Sequence, residues 1–175
     1  MAHSHGVTLP AIDPSGVPPS TGAPDYPKQF WDLVVGAERR RLGEAAGLSN
    51  FGVNLVRLPP GVASSQRHWH TKQDEFVFVL EGELTLISDA GEQLLGPGLC
   101  AGFPAGRSDG HHVINRSSCD AVFLEIGDRN PGDEGEYSDI DMRWKNTDGD
   151  QRYVYLHKDG TPYLDADGRA IGNDT

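Results

Sequence analysis

The stretch Gly61–Gly82, GVASSQRHWHTKQDEFVFVLEG, constrains the fold more than any other part of the chain. Side chains two apart on a strand share a face, so His68 and His70 project together. The turn-like segment Thr71–Asp74 follows, and Glu75 then opens the apolar run Phe76–Leu80. If the turn joins antiparallel strands, Glu75 returns beside the two imidazoles. Two imidazoles and a carboxylate converging inside a barrel suit a divalent first-row metal. The same alternation sends Glu75, Val77 and Val79 inward and Phe76, Phe78 and Leu80 outward. Both faces of this strand are apolar, so a second layer is expected to cover it.

The surrounding sequence has the cadence of an antiparallel barrel. Asn50–Leu58 alternates and stops at Pro59-Pro60-Gly61. Glu83–Ser88 and Glu92–Leu95 flank Asp89-Ala90-Gly91 as a hairpin, Gly96-Pro97-Gly98 turns the chain, and Leu99–Phe103 and Ala121–Ile126 read as further strands. Short strands at even spacing, separated by Gly, Pro, Asn and Asp, describe an all-β sandwich or barrel.

A second motif lies downstream, Gly98, Pro104, Gly106, His111 and Asn115, and with Gly61, His68, His70, Glu75 and Gly82 it resembles the two motifs of the cupin family. The resemblance implies a cupin double-stranded β-helix, a jelly-roll barrel, with one divalent transition metal per subunit. The implied ligands are His68, His70, Glu75 and His111. His111 and His112 are adjacent and only one can face inward; counting back from Asn115 favours His111, with His112 as the alternative. Gln66, on the His68 face by alternation, and Asn115 are candidates for orienting ligands or substrate from behind. Mixed N/O ligation suits iron, manganese, nickel, cobalt or copper, and zinc is accommodated with fewer open positions. The resemblance also implies a homodimer.

Charge and composition exclude other classes. A formal charge of −11 disfavours nucleic acid, whose phosphates need basic patches, and equally an anionic membrane surface. No apolar run approaches the roughly 20 residues of a membrane helix. The first residues, MAHSHGVTLPAID, lack the basic start and apolar core of a secretory leader, so a cytoplasmic location is expected. Cys100 and Cys119 are expected as reduced, half-buried thiols.

Three regions are expected. Residues 1–29, rich in Pro, Gly, Ser and Ala, form a flexible arm carrying His3 and His5. Residues 30–127 form the barrel, beginning with the apolar Phe30–Val35. Residues 128–175 form an acidic extension packing on the barrel or on a neighbouring subunit, with a strand near Arg152–His157. Within 37–47, helix propensity competes with Gly43 and Gly47, and Arg39, Arg40 and Arg41 read as an exposed face. Asp139 and Asp141 do not match a calcium loop and read as a solvated acidic segment.

The functional expectation is a mononuclear metalloenzyme acting on a small molecule. Dioxygenase chemistry is the preferred reading; a metal-dependent isomerase or lyase is the alternative, and a non-catalytic metabolite-binding module is a third.

Overall fold

The computed structural model describes residues 8–21, 25–147 and 152–172. Its strands are β1 (Glu38–Arg41), β2 (Phe51–Leu58), β3 (His68–His70), β4 (Glu75–Glu81), β5 (Leu84–Ser88), β6 (Gly91–Leu95), β7 (Cys100–Phe103), β8 (His112–Ile114), β9 (Ala121–Asp128), β10 (Gly135–Tyr137), β11 (Arg143–Asn146) and β12 (Tyr153–Leu156), with one short helix, α1 (Leu42–Ala45). Five strands form one sheet in the order β1-β2-β9-β4-β7. The facing layer comprises β12-β11-β10-β3 and β6-β5-β8, joined by the bridge His68↔His111. All named pairings are antiparallel, and the two layers make the expected jelly roll.

Alternation places the core. Val56 and Leu58 of β2, Val77 and Val79 of β4, Leu84 and Leu86 of β5, Val113 of β8 and Ala121 and Phe123 of β9 are buried between the layers. These apolar residues fill one end of the barrel and leave the other end, towards Glu75, to polar groups. The outward Phe76 and Leu80 keep 37% and 40% of their surface exposed, so no segment among the described residues fully covers that face. The Leu84–Ser88 and Gly91–Leu95 hairpin forms as expected.

Several elements differ from their sequence reading. The ambiguous stretch after Ala37 splits into β1 and the single turn α1, because pairing with β2 captures the arginines before helix propensity can. Pairing also fixes their faces: Arg39 turns into the barrel beside Glu125 instead of lying on an exposed surface. The described part of the N-terminal arm is bonded, with Ser20 bridging Arg39 and the Val17 carbonyl accepting from Arg40. His3 and His5 lie outside the described residues. Cys100 and Cys119 are exposed, since Cys100 sits on the outward register of edge strand β7 and Cys119 in a turn.

The C-terminal extension contributes strands to the barrel. β10 pairs with β3 (Gly135↔His70, Tyr137↔His68), so the extension continues the histidine-bearing sheet. Its aromatic residues Tyr137, Trp144, Tyr155 and Tyr163 form a second core with Met142, against which Tyr26 and Phe30 pack. At Gly135 a Cβ would stand 1.9 Å from the Trp144 ring and 2.3 Å from the Trp69 carbonyl oxygen. Gly135→Ala is therefore expected to destabilise the fold by about 2 kcal/mol or more. Thermal unfolding should show it as a fall of roughly 5 °C in Tm, with an unchanged Tm refuting the packing argument.

Candidate metal centre

The strand register assembles the site. β3 turns His68 and His70 to the interior, β4 brings in Glu75, and the bridge between His68 and His111 sets the third imidazole beside them. Glu75 Oε2 lies 3.6 Å from His68 Nε2, 3.4 Å from His70 Nε2 and 3.0 Å from His111 Nε2. His68, His70 and Glu75 present donor atoms within 4.8 Å of one another and can hold a metal ion. His111 stacks on Phe103 with centroids 3.6 Å apart, which fixes its ring plane. His112 turns the other way, its Nδ1 donating to the Ser65 carbonyl at 2.9 Å.

The opposite side of each converging imidazole is also fixed. His68 Nδ1 donates to the Gln66 carbonyl (2.9 Å), His70 Nδ1 to Asp133 Oδ2 (2.6 Å) and His111 Nδ1 to the Asp109 carbonyl (3.1 Å). A proton held on Nδ1 leaves the Nε2 lone pair free, so three lone pairs point at a carboxylate oxygen. A cation among them, a metal ion or a proton taken up by an imidazole, is what draws the four groups together. The buried His70 Nε2 has no hydrogen-bond partner, as expected of an atom that faces a metal. The donor set therefore fits a divalent ion.

The electrostatics agree with this geometry. Burial pushes the His68 pKa down to about 4, favouring the neutral ring that a metal needs. Burial alone would raise the Glu75 carboxyl, but His70, His111 and His68 outweigh it and hold it below the usual carboxylate range. Asp133, although buried, is likewise held low by His70 and the Lys72 N–H. Both carboxyl pKa values are depressed on folding, so their stabilisation is present above about pH 4.5 and lost as pH falls below it. Metal-free protein followed by circular dichroism should lose stability steeply below about pH 4.5. Glu75→Gln should flatten that slope, and an identical slope would refute the assignment.

Neither candidate for positioning the ligands does so through its side chain. The Gln66 amide donates to the Phe30 carbonyl at 2.8 Å, while its own backbone carbonyl supports His68. Asn115 is fully buried and ties the β8–β9 turn together, donating to the Leu58 and Cys119 carbonyls and accepting from Ser117. Residues that the sequence did not single out surround the centre. Asp133 holds His70, the Trp144 ring lies 4.8 Å from His70, Tyr137 lies 5.6 Å from His68, and Arg39 and Glu125 face the cavity. Asp133, Tyr137 and Trp144 come from the extension, more than 60 positions after His70, and no local signal links them to it.

The centre opens into a cavity of about 470 Å³ lined by Arg39, Arg41, Gln73, Glu125, Asn130 and Asn146 among others. A jelly roll with three histidines and a glutamate at its polar end defines the cupin class. The cupin domain model matches residues 54–127. A crystal structure of a sugar phosphate isomerase of the cupin superfamily from Silicibacter pomeroyi is 46% identical, with a TM-score of 0.82, covering 93% of this chain and 100% of that one. A protein from Acidithiobacillus ferrooxidans, provisionally named a sugar phosphate isomerase, is 28% identical with a TM-score of 0.65, covering 74% of this chain and 81% of that one. The polyketide cyclase RemF from Streptomyces resistomycificus shares the fold alone, at 19% identity and a TM-score of 0.55, covering 67% of this chain and 78% of that one. No curated protein matches the sequence. This chain belongs to the cupin family.

Proposed function

We propose that the protein is a metal-dependent isomerase of small polyhydroxylated carbonyl compounds, with phosphorylated sugars as the substrate class. The observation that carries the reading is the convergence of three Nδ1-anchored imidazoles on Glu75 at the floor of a cavity walled by hydrogen-bonding side chains. The 46% identical neighbour described as a sugar phosphate isomerase supports the isomerase alternative over the dioxygenase reading. A wall of Arg, Asn, Gln and Tyr groups also matches a substrate with a hydroxyl on nearly every carbon.

In this reading His68, His70, Glu75 and His111 hold one divalent ion. When bound, the ion supplies Lewis acidity towards adjacent carbonyl and hydroxyl oxygens. The chain does the rest. Asp133 holds the His70 tautomer, and Phe103 and Trp144 confine the imidazole rings. The phenols of Tyr137 and Tyr155 are held protonated by burial, which raises both well above their ordinary value, and they line the cavity as neutral hydroxyls. The Arg39 guanidinium, its charge favoured by Glu125, offers a cation to an anionic substrate.

The test is incubation of protein loaded with manganese, iron, cobalt, nickel or zinc with aldose and ketose phosphates of three to six carbons, followed by proton NMR. Interconversion of one aldose–ketose pair supports the proposal. An inert protein that consumes oxygen with a chelating substrate would restore the dioxygenase reading. The homodimer is proposed through the outer face of the five-stranded sheet, where Phe51, Phe76 and Leu80 remain exposed. Light scattering should give twice the chain mass, and Phe76→Lys should yield monomers; a wild-type monomer would refute it.

A further inference from the structure

We infer that Glu125 is the proton-transferring carboxylate of the cavity, carrying a proton between adjacent carbons of a substrate held above the metal centre. The inference rests on the isomerase reading and adds the residue that does the acid–base work.

Position comes first. On β9 the partner of Glu75 is Gly127, which carries no side chain, and the partner of Val77 is Glu125. Glu125 is therefore the first β9 side chain to enter the cavity beyond the centre. Diagonal neighbours of this kind lie about 7–8 Å apart at Cα, which leaves room for a two-carbon unit between Glu125 and the ligands. The barrel interior is apolar at neighbouring Ala121 and Phe123, so a carboxylate here is a departure from the strand's core pattern.

Its contacts leave one oxygen available. Oε1 accepts from Asn54 Nδ2 at 3.0 Å and pairs with Arg39 Nε at 3.5 Å. Among the described residues Oε2 accepts no hydrogen bond, and Glu125 lines the cavity. The side chain is 26% exposed, enough to be reached through the cavity mouth.

The competing groups are committed elsewhere. Glu75, His68, His70 and His111 face one another across the proposed metal position. Asp133 is occupied by His70, Thr71 and the Lys72 N–H, and His112 by the Ser65 carbonyl. The buried phenols are donors. A base must lie within hydrogen-bond reach of the proton it takes, and Glu125 keeps one oxygen unbonded among the described residues on the strand next to the ligand Glu75, whereas Asp25, which also lines the cavity, accepts from the Tyr153 hydroxyl.

The step balances without a redox partner. Glu125 Oε2 takes the C2 proton of an aldose; the C2–H electron pair forms the C1–C2 double bond, and the carbonyl π pair moves to O1, which takes a proton from water. Glu125 then returns its proton to C1 of the enediol while O2 gives one to water, leaving the ketose. Arg39, beside the carboxylate, faces the charge that develops on the enediol oxygens.

Glu125→Gln and Glu125→Asp, each loaded with the metal that activates wild type, test the role. Glu125→Gln should lower kcat by about 10²–10⁴-fold with KM, metal content and Tm close to wild type. A hydroxamate mimic of the enediol, measured by calorimetry, should bind at least about tenfold more weakly to the same variant. Glu125→Asp, which keeps the charge but withdraws it by one methylene, should fall between. A Glu125→Gln enzyme within about threefold of wild-type kcat overturns the assignment while leaving isomerase function standing. Wild type inert towards every aldose and ketose phosphate overturns the isomerase reading, and the role of Glu125 with it.

Discussion

Replacing His70 by alanine is expected to empty the metal centre. Wild-type protein purified without a metal-affinity tag should carry about one equivalent of a divalent transition ion per chain, and His70→Ala less than about a tenth of that. The substitution removes one of three inward lone pairs and also strands Asp133, whose Oδ2 loses the imidazole proton it accepts at 2.6 Å. Asp133 keeps the Lys72 N–H and the Thr71 hydroxyl, so the β3–β4 turn should persist. Matching far-ultraviolet spectra of the metal-free forms would separate metal loss from misfolding. Elemental analysis showing equal metal in both proteins would mean that the ion sits elsewhere. The N-terminal His3 and His5 should then be removed before the analysis is repeated. Turnover should vanish with the metal, since no other described cluster offers comparable ligands.

Asp133→Asn is expected to weaken metal binding by about 10–100-fold while leaving every ligand in place. The carboxylate accepts from His70 Nδ1 on one oxygen and from the Lys72 N–H on the other. An asparagine has one oxygen and one NH2 in the same space. Turning the oxygen to Lys72 sets two donors against each other at His70 and drives the imidazole proton to Nε2, towards the metal. Turning it to His70 sets two donors against each other at Lys72 and distorts the turn that carries Glu75. Either arrangement penalises the metal-bound state. Competition against a chelating dye measures the affinity directly, and a value within about threefold of wild type would show that Asp133 does not position His70.

The lesson for reading such sequences lies in which contacts are local. His68 and His70 share a face because a strand repeats every two residues, and Glu75 faces them because a four-residue turn reverses the chain. Val77, Val79, Leu84 and Phe123 enter the core by the same alternation, so the jelly roll and the convergence of the histidines on Glu75 were legible in the linear order of residues. Alternation counted back from Asn115 also pointed to the inward course of His111. The surroundings of that cluster were not legible in this way. Arg39 looked like a surface residue in a run of three arginines until pairing with β2 turned it inward beside Glu125, more than 80 positions away. β10 is a Gly-Glu-Tyr segment in an acidic, turn-rich stretch with no alternation of its own, and it is a strand because β3 offers it a partner.

The sequence by itself determined the barrel, its polar end and the imidazole–carboxylate cluster, because all three follow from short-range periodicity and turn chemistry. Only the tertiary structure decided what surrounds that cluster: Asp133 behind His70, Tyr137 and Trp144 against the imidazoles, and Glu125 with Arg39 on the facing wall. Those contacts join segments distant in the chain, and nothing in the local sequence of one partner encodes the position of the other. They exist because the extension pairs edge to edge with β3 and because β1 closes the opposite sheet, both consequences of how complete sheets satisfy their backbone hydrogen bonds.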